Sequence, residues 1–262
     1  MEALGEIGVL IEQNLAYLVP ALGVFARLGA LFYILPAIGE TVVSTRIRLS
    51  IAMAVAALII PLLAPTFGSI SYSVSGAFAL IIIESIYGLL LGFGFRFMVY
   101  SLQILGNVVS QALSISQVLG EGIATEPNTT ISTLLMMAGV TLLATMGVHI
   151  EAVGILVKSF EMFPLGRAPN LDGMAYWLTH KGSDAISIGI TLALPFIILN
   201  FVYNAILGFL NRAMPQLMVS FVGMPAITGA GLFLLVVAAG STLTSWTHLY
   251  FESFSGFEGL LP

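Results

Sequence analysis

Long apolar runs separated by short polar intervals dominate the chain, and six of them reach or approach the length of a bilayer-crossing helix, roughly 20 residues. They are Leu15–Leu35, Ile47–Ala64, Ala77–Tyr100, Ile131–Val157, Ala185–Leu210 and Phe221–Trp246. Runs this continuous predict helices, because a lone strand leaves its backbone N–H and C=O groups unsatisfied in lipid. The second run is the shortest and is closed by Pro61 and Pro65. The expected fold is therefore all-α: a polytopic integral membrane protein of about six hydrophobic helices, forming a single membrane-embedded domain over residues 1–262.

Two connections are long. Phe160–Asp184 is rich in Gly, Pro, Asn and Asp and reads as an exposed loop, with room for a short helix at Met174–His180. The other, Ser101–Thr130, opens with Gln103, Asn107, Ser110, Gln111, Ser114 and Gln117, which on a helix share one face about 120° wide. Leu102, Leu105, Val108, Val109, Ala112 and Leu119 take the other face. A stripe that is polar yet uncharged suits two settings. It can be a seam where Gln and Asn hydrogen-bond across a bundle, or a wall that touches water or a passing polymer without gripping either. Gly120-Glu-Gly122 and Glu126-Pro127-Asn128 then break the helix into a loop.

Composition agrees with a membrane setting. Of the 262 residues 58% are hydrophobic and 8% charged, against about 25% charged in an ordinary soluble domain. A soluble enzyme is excluded, and a net charge of −5 argues against a nucleic-acid partner. Without cysteine the chain has no disulfide, thiolate metal site or cysteine nucleophile. The first residues carry Glu2, Glu6 and Glu12 but no Lys or Arg, so they read as a mature start, not a secretory signal. Counting basic residues in loops favours both termini outside. Arg46, Arg48, Arg96 and Arg212 then lie inside, against Lys158, Arg167 and Lys181 outside.

Ionisable residues within apolar runs are functional candidates by default, since each costs several kcal/mol if it faces lipid. Five qualify: Arg27, Glu84, Arg96, His149 and Glu151. Arg27 needs a carboxylate, carbonyls or water, and a structural ion pair is the simplest answer. Glu84 and Arg96 stand near opposite ends of one run and cannot pair with each other. His149-x-Glu151 lacks the downstream P-C-x-x-C of a zinc deaminase. There is no G-x-S-x-G elbow and no phosphate loop. Both aspartates, Asp172 and Asp184, fall in one loop outside the runs. The expectation is no catalytic residue, no cofactor, no metal and no enzyme activity. Gly88-Leu-Leu-Leu-Gly92 allows helix backbones to approach, and Pro20, Pro36, Pro195 and Pro225 predict kinks in or beside the runs.

The arrangement of these residues resembles the FliR/SctT family, export-gate subunits of flagellar and injectisome type III secretion. The specific part is Leu192-Ala-Leu-Pro195, then Leu207-Gly-Phe-Leu-Asn-Arg212-Ala-Met-Pro215-Gln216, then Gly223-Met-Pro225. Arg27, Pro36, Gly39, Arg46 and Arg48 resemble the family's opening pattern, and His149, Ser159-Phe160 and Pro164-Leu-Gly166 its middle. One departure stands out: Gly106-Asn-Val-Val-Ser110-Gln111-Ala112 is a residue shorter than the family's glycine-rich run, with Ser and Ala in place of glycines.

The resemblance implies a core subunit in a closed helical assembly. One copy joins several copies of the P and Q export-gate subunits, with the FlhB-type switch subunit as a further partner. Unfolded flagellar polypeptides cross the bacterial inner membrane through the centre, at the flagellar basal body. Pore and gate candidates are Gln103, Asn107, Gln111, Ser114, Gln117, Gly120 and Gly122, with a plug loop near Ala112–Glu126. Arg212, Pro215 and Gln216 would form a turn at the cytoplasmic entrance, and Arg27, Glu84, Arg96 and Glu151 would be structural intramembrane charges. The resemblance also implies that hydrophobic helices need not all span the bilayer, since partner subunits bury some of them. An uncharged face and a glycine-bearing loop suit a conduit for arbitrary polypeptide. The alternatives are an injectisome export-gate subunit and a small-solute secondary transporter, which should show paired halves around a midplane site.

Overall fold

The computed structural model describes residues 2–67, 74–113, 129–213 and 219–255, and among these no strand occurs. The described residues form seven α-helices in order: α1 (Glu2–Ile34), α2 (Thr45–Leu63), α3 (Val74–Ala112), α4 (Thr130–Thr145), α5 (Val148–Met162), α6 (Leu171–Ala213) and α7 (Val219–Ser255). A short 3-10 turn, Ala64–Thr66, ends α2 just beyond Pro61. Five helices are long and apolar enough to cross a membrane, six if α4 and α5 count as one broken span. The all-α, polytopic membrane architecture is therefore as the apolar runs predict.

The boundaries differ instructively. The fourth run, continuous in hydropathy, is interrupted at Gly147, whose φ of 82° lies in the left-handed region that only glycine adopts freely. The loop expected from Phe160 to Asp184 is mostly helix, because α6 already begins at Leu171. Asn170 starts it, its side-chain oxygen accepting from Gly173 N at 3.3 Å. Asp172, Lys181 and Asp184 are thus helical, contrary to the loop reading. Polar composition masks a helix whose apolar residues Met174 and Trp177 are buried. Likewise Ser101–Ala112 continues α3 without a break. Pro20, Pro195 and Pro225 lie inside helices that continue through them.

At a rise of 1.5 Å per residue, the 43 residues of α6 extend about 65 Å. That is about twice the hydrocarbon thickness of a bilayer, so α6 does more than make one perpendicular crossing.

The helices divide into two compact units: the chain up to Arg96 with Ala144–Thr179, and Phe97–Leu143 with the chain from His180 to the end of α7. In the first unit, Gly88 and Gly92 of α3 form the seam with α1. A Cβ on Gly88 would collide with the Arg27 carbonyl oxygen, and one on Gly92 would stand 3.1 Å from Ile34 Cβ. In the second unit the anchor is Trp246, fully buried, whose indole N–H donates to Ser101 Oγ at 2.7 Å. Gly139 lets α4 approach that ring and Leu102 of α3. Thr228 Oγ1 of α7 donates to the Leu113 carbonyl at 2.8 Å, satisfying an acceptor that the end of α3 leaves open.

Two glycines in helices should therefore respond oppositely. Gly88→Val forces α1 and α3 apart and should cost about 1–3 kcal/mol or more. Gly29→Ala, where a Cβ would meet nothing within 4 Å, should be neutral or slightly stabilising. Thermal unfolding of the purified chain in detergent checks both.

Candidate functional site

Arg27 and Glu84 meet at the centre of the first unit, both fully buried. Burying either charge alone would cost several kcal/mol, so the surroundings must complete the pair. Arg27 Nε donates to Glu84 Oε2 at 2.6 Å, Nη1 to Ser159 Oγ at 3.0 Å and Nη2 to the Phe163 carbonyl at 2.9 Å. The other carboxylate oxygen of Glu84 accepts from Gly166 N at 3.0 Å. Against the guanidinium lie the rings of Phe160, 3.9 Å away, and Tyr87, 4.8 Å away, a favourable placement for a cation. Tyr87 stacks on Phe163 and donates to the Arg167 carbonyl at 3.2 Å.

Four elements are tied by this knot: α1, α3, α5 and the connection from Phe163 to Asn170. Gly23 of α1 makes room for it, since a Cβ there would crowd Leu80 and Glu84. Ser159, Phe160 and Gly166, which belong to the family-like pattern in the sequence, are contacts of Arg27 and Glu84. Spacing alone does not reveal that.

A second ionic cluster sits at the turn after α1. Glu40 takes Arg96 on its carboxylate and Arg48 on its backbone carbonyl. Ala37 holds a positive φ of 73°, and Gly39 packs so tightly on the end of α1 that a Cβ would lie 2.7 Å from the Tyr33 carbonyl. Ser44 Oγ accepts from Ile47 N and starts α2. Arg96 is thus paired across 56 residues with a carboxylate that lies outside every apolar run. Glu151, the last of the four residues expected to be structural intramembrane charges, is exposed in the first turn of α5, beside exposed His149.

The polar stripe lies on α3 within the second unit. Leu102, Leu105 and Val109 point into the core, while Gln103 and Asn107 are half-buried and Gln111 is exposed. Asn107 Oδ1 accepts from the Thr129 hydroxyl at 3.2 Å, so part of the stripe forms a seam inside the chain. Gln111 is left on the surface. Ser114, Gln117, Gly120, Gly122, Pro215 and Gln216 lie outside the described residues. Arg212 is exposed in the last turn of α6, where a cation is favourable.

Lys181 is a buried cation that the sequence pattern does not reveal. It lies in α6 with its ammonium on the Ser253 carbonyl and near the Phe254 ring, whereas the neighbouring Gly, Ser and Asp suggest a loop. Nor does the pattern single out Asn200 and Asn204, a hydrogen-bonded pair on an exposed part of α6.

Removing one partner of the buried knot strands the other. Arg27→Met or Glu84→Leu should each destabilise the chain by about 3–5 kcal/mol. The double substitution should cost clearly less than the sum. Unfolding in detergent and chain abundance in membranes are the readouts.

The sequence matches known proteins over nearly all of these elements. The profile of the family described as bacterial export proteins, family 1, matches residues 18–253. The flagellar biosynthetic protein FliR of Caulobacter vibrioides is 32% identical over 230 residues, 87% of this chain and 92% of that protein. FliR of Escherichia coli K12 is 28% identical over 247 residues, 93% of each chain. FliR of Pectobacterium carotovorum is 25% identical over 238 residues, 90% of each. The match runs from the second half of α1, which carries Arg27, to the last turn of α7, and on that basis the chain belongs to the family of bacterial export proteins, family 1.

Proposed function

We propose that the chain is a core, non-catalytic subunit of a flagellar-type type III export gate, helping to form the passage for unfolded flagellar proteins. The observation that carries this reading is the family match over residues 18–253, with FliR relatives aligned over about nine-tenths of both chains. Its setting is the bacterial inner membrane at the flagellar basal body. Its partners are the P and Q export-gate subunits and an FlhB-type switch subunit, with unfolded polypeptide as cargo.

Physical features support an assembly role. Only 22% of the apolar window of α6 and 17% of that of α7 is buried within the chain. Phe201, Phe209, Phe233 and Val236 are among the large side chains left exposed. Partner subunits or lipid must cover them, since side chains this apolar are costly to leave in water. The surface end of the α3 stripe, at Gln111, carries hydrogen-bonding capacity without charge. A polypeptide of any sequence can slide past such a group, whereas a fixed charge would trap some segments and repel others. Gly120 and Gly122 are proposed to give the following loop its gating freedom. The Arg212–Gln216 turn is proposed as the cytoplasmic entrance.

Deleting the chain from its host should abolish export of flagellar filament protein while general secretion continues, and a plasmid copy should restore it. Intact filament export with loss of uptake of a small solute would instead favour a transporter. Gln111→Lys should reduce export several-fold without lowering chain abundance, because the side chain is exposed and supports no packing.

A further inference from the structure

Within the first unit, α3 and the start of α6 lie side by side, so close at Gly94 that a Cβ there would collide with the Trp177 ring. Just before that contact the two helices part and leave a groove of about 300 Å³. Ile86 and Leu171 stand at one end and Phe93 and Leu178 at the other, and every lining residue is apolar. Seven residues of each helix give it a length of about 10 Å. Leu90 and Met174 are buried in its floor, whereas Phe93 and Leu171 are exposed, so it opens to the surroundings of the chain. A groove lined this way holds water poorly, since water needs two or more polar partners.

One end of the groove carries charge. Tyr87, next to Ile86, donates to the Arg167 carbonyl at 3.2 Å and so pins the connection before α6 against that end. Arg167 itself is exposed, and among the described residues nothing pairs with its guanidinium. Asp172, next to Leu171 in the first turn of α6, is exposed and likewise unpaired among the described residues. One cation and one anion thus flank the mouth of an apolar slot at the point where a long apolar helix begins. Charges at the start of such a helix sit at headgroup depth, with the apolar groove running inward from them. The complement is a lipid with a buried chain and a headgroup of both signs. A phosphate suits the guanidinium, and an ammonium with N–H groups can hydrogen-bond the carboxylate, which a quaternary ammonium cannot. A headgroup of net negative charge would meet Asp172 with repulsion.

We propose that the groove between α3 and the start of α6 binds one acyl chain of a phosphatidylethanolamine, whose phosphate meets Arg167 and whose ammonium meets Asp172. The proposal needs only a membrane setting and does not rest on the export-gate reading. Trp177, against Gly94 at the inner end of the groove, is a built-in reporter, one of two tryptophans in the chain. The test places the full chain in phosphatidylcholine nanodiscs and adds phosphatidylethanolamine or phosphatidylglycerol with brominated, fluorescence-quenching chains. Phosphatidylethanolamine should give saturable quenching at about a tenfold lower fraction than phosphatidylglycerol, the scale of one charge-assisted hydrogen bond. Arg167→Gln should weaken it about tenfold, Asp172→Asn should erase the preference between the two lipids, and Arg46→Gln, an exposed arginine elsewhere, should change nothing. Thermal unfolding without the brominated lipid should be unaltered in all three, because the side chains are exposed. Non-saturable quenching, equal response to both lipids, or quenching that survives Arg167→Gln or Trp177→Phe would overturn the proposal. So would loss of the quenching once P and Q subunits are bound, which would give the groove to a protein helix.

Discussion

An arginine at the centre of an apolar helix cannot be left alone, and the first unit is built around that constraint. Arg27 and Glu84 neutralise each other, but a bare pair would still leave donors and an acceptor unmet in a low-dielectric interior. Ser159, the Phe163 carbonyl and the Gly166 amide meet those needs. The consequence is geometric: α5 must end where its last turn reaches Arg27, and the next residues must turn back so that Gly166, with a φ of 76°, faces the carboxylate. Glycine at 88 then follows from the same demand, since α1 and α3 must lie close enough for the pair to form.

The second unit relies mostly on neutral groups, with Lys181 on the Ser253 carbonyl as its one buried cation among the described residues. Trp246, Ser101 and the Met98 carbonyl form a small buried hydrogen-bonded cluster. Thr228 satisfies the carbonyl of Leu113. Such contacts fix helix register without charge. Beyond them α6 and α7 continue with mostly exposed apolar surface, as expected of a subunit whose packing is finished by others.

Much of this architecture is legible in the sequence. The apolar runs locate the hydrophobic helices, since period and length suffice for that. The lone arginine in the first run announces an ion pair, and Gly88-x-x-x-Gly92 marks a seam. The partners are not legible: Glu84 is 57 positions from Arg27 and Ser159 is 132, and no local pattern encodes such separations. Lys181 and the start of α6 read as loop because Gly, Ser, Asn and Asp favour turns, whereas burial of Met174 and Trp177 overrides that preference. Within the polar stripe, Asn107 belongs to a seam inside the chain and Gln111 stays on the surface. Which residues go each way depends on where Thr129 returns to α3, and spacing carries no trace of that.

If this chain is one member of a larger export assembly, other members must cover its exposed faces. Native mass spectrometry of the tagged chain, co-purified with P and Q subunits, tests that most directly. The expected result is a single defined hetero-oligomer containing one copy of this chain. A stable lone monomer or homodimer that ignores those subunits would contradict it.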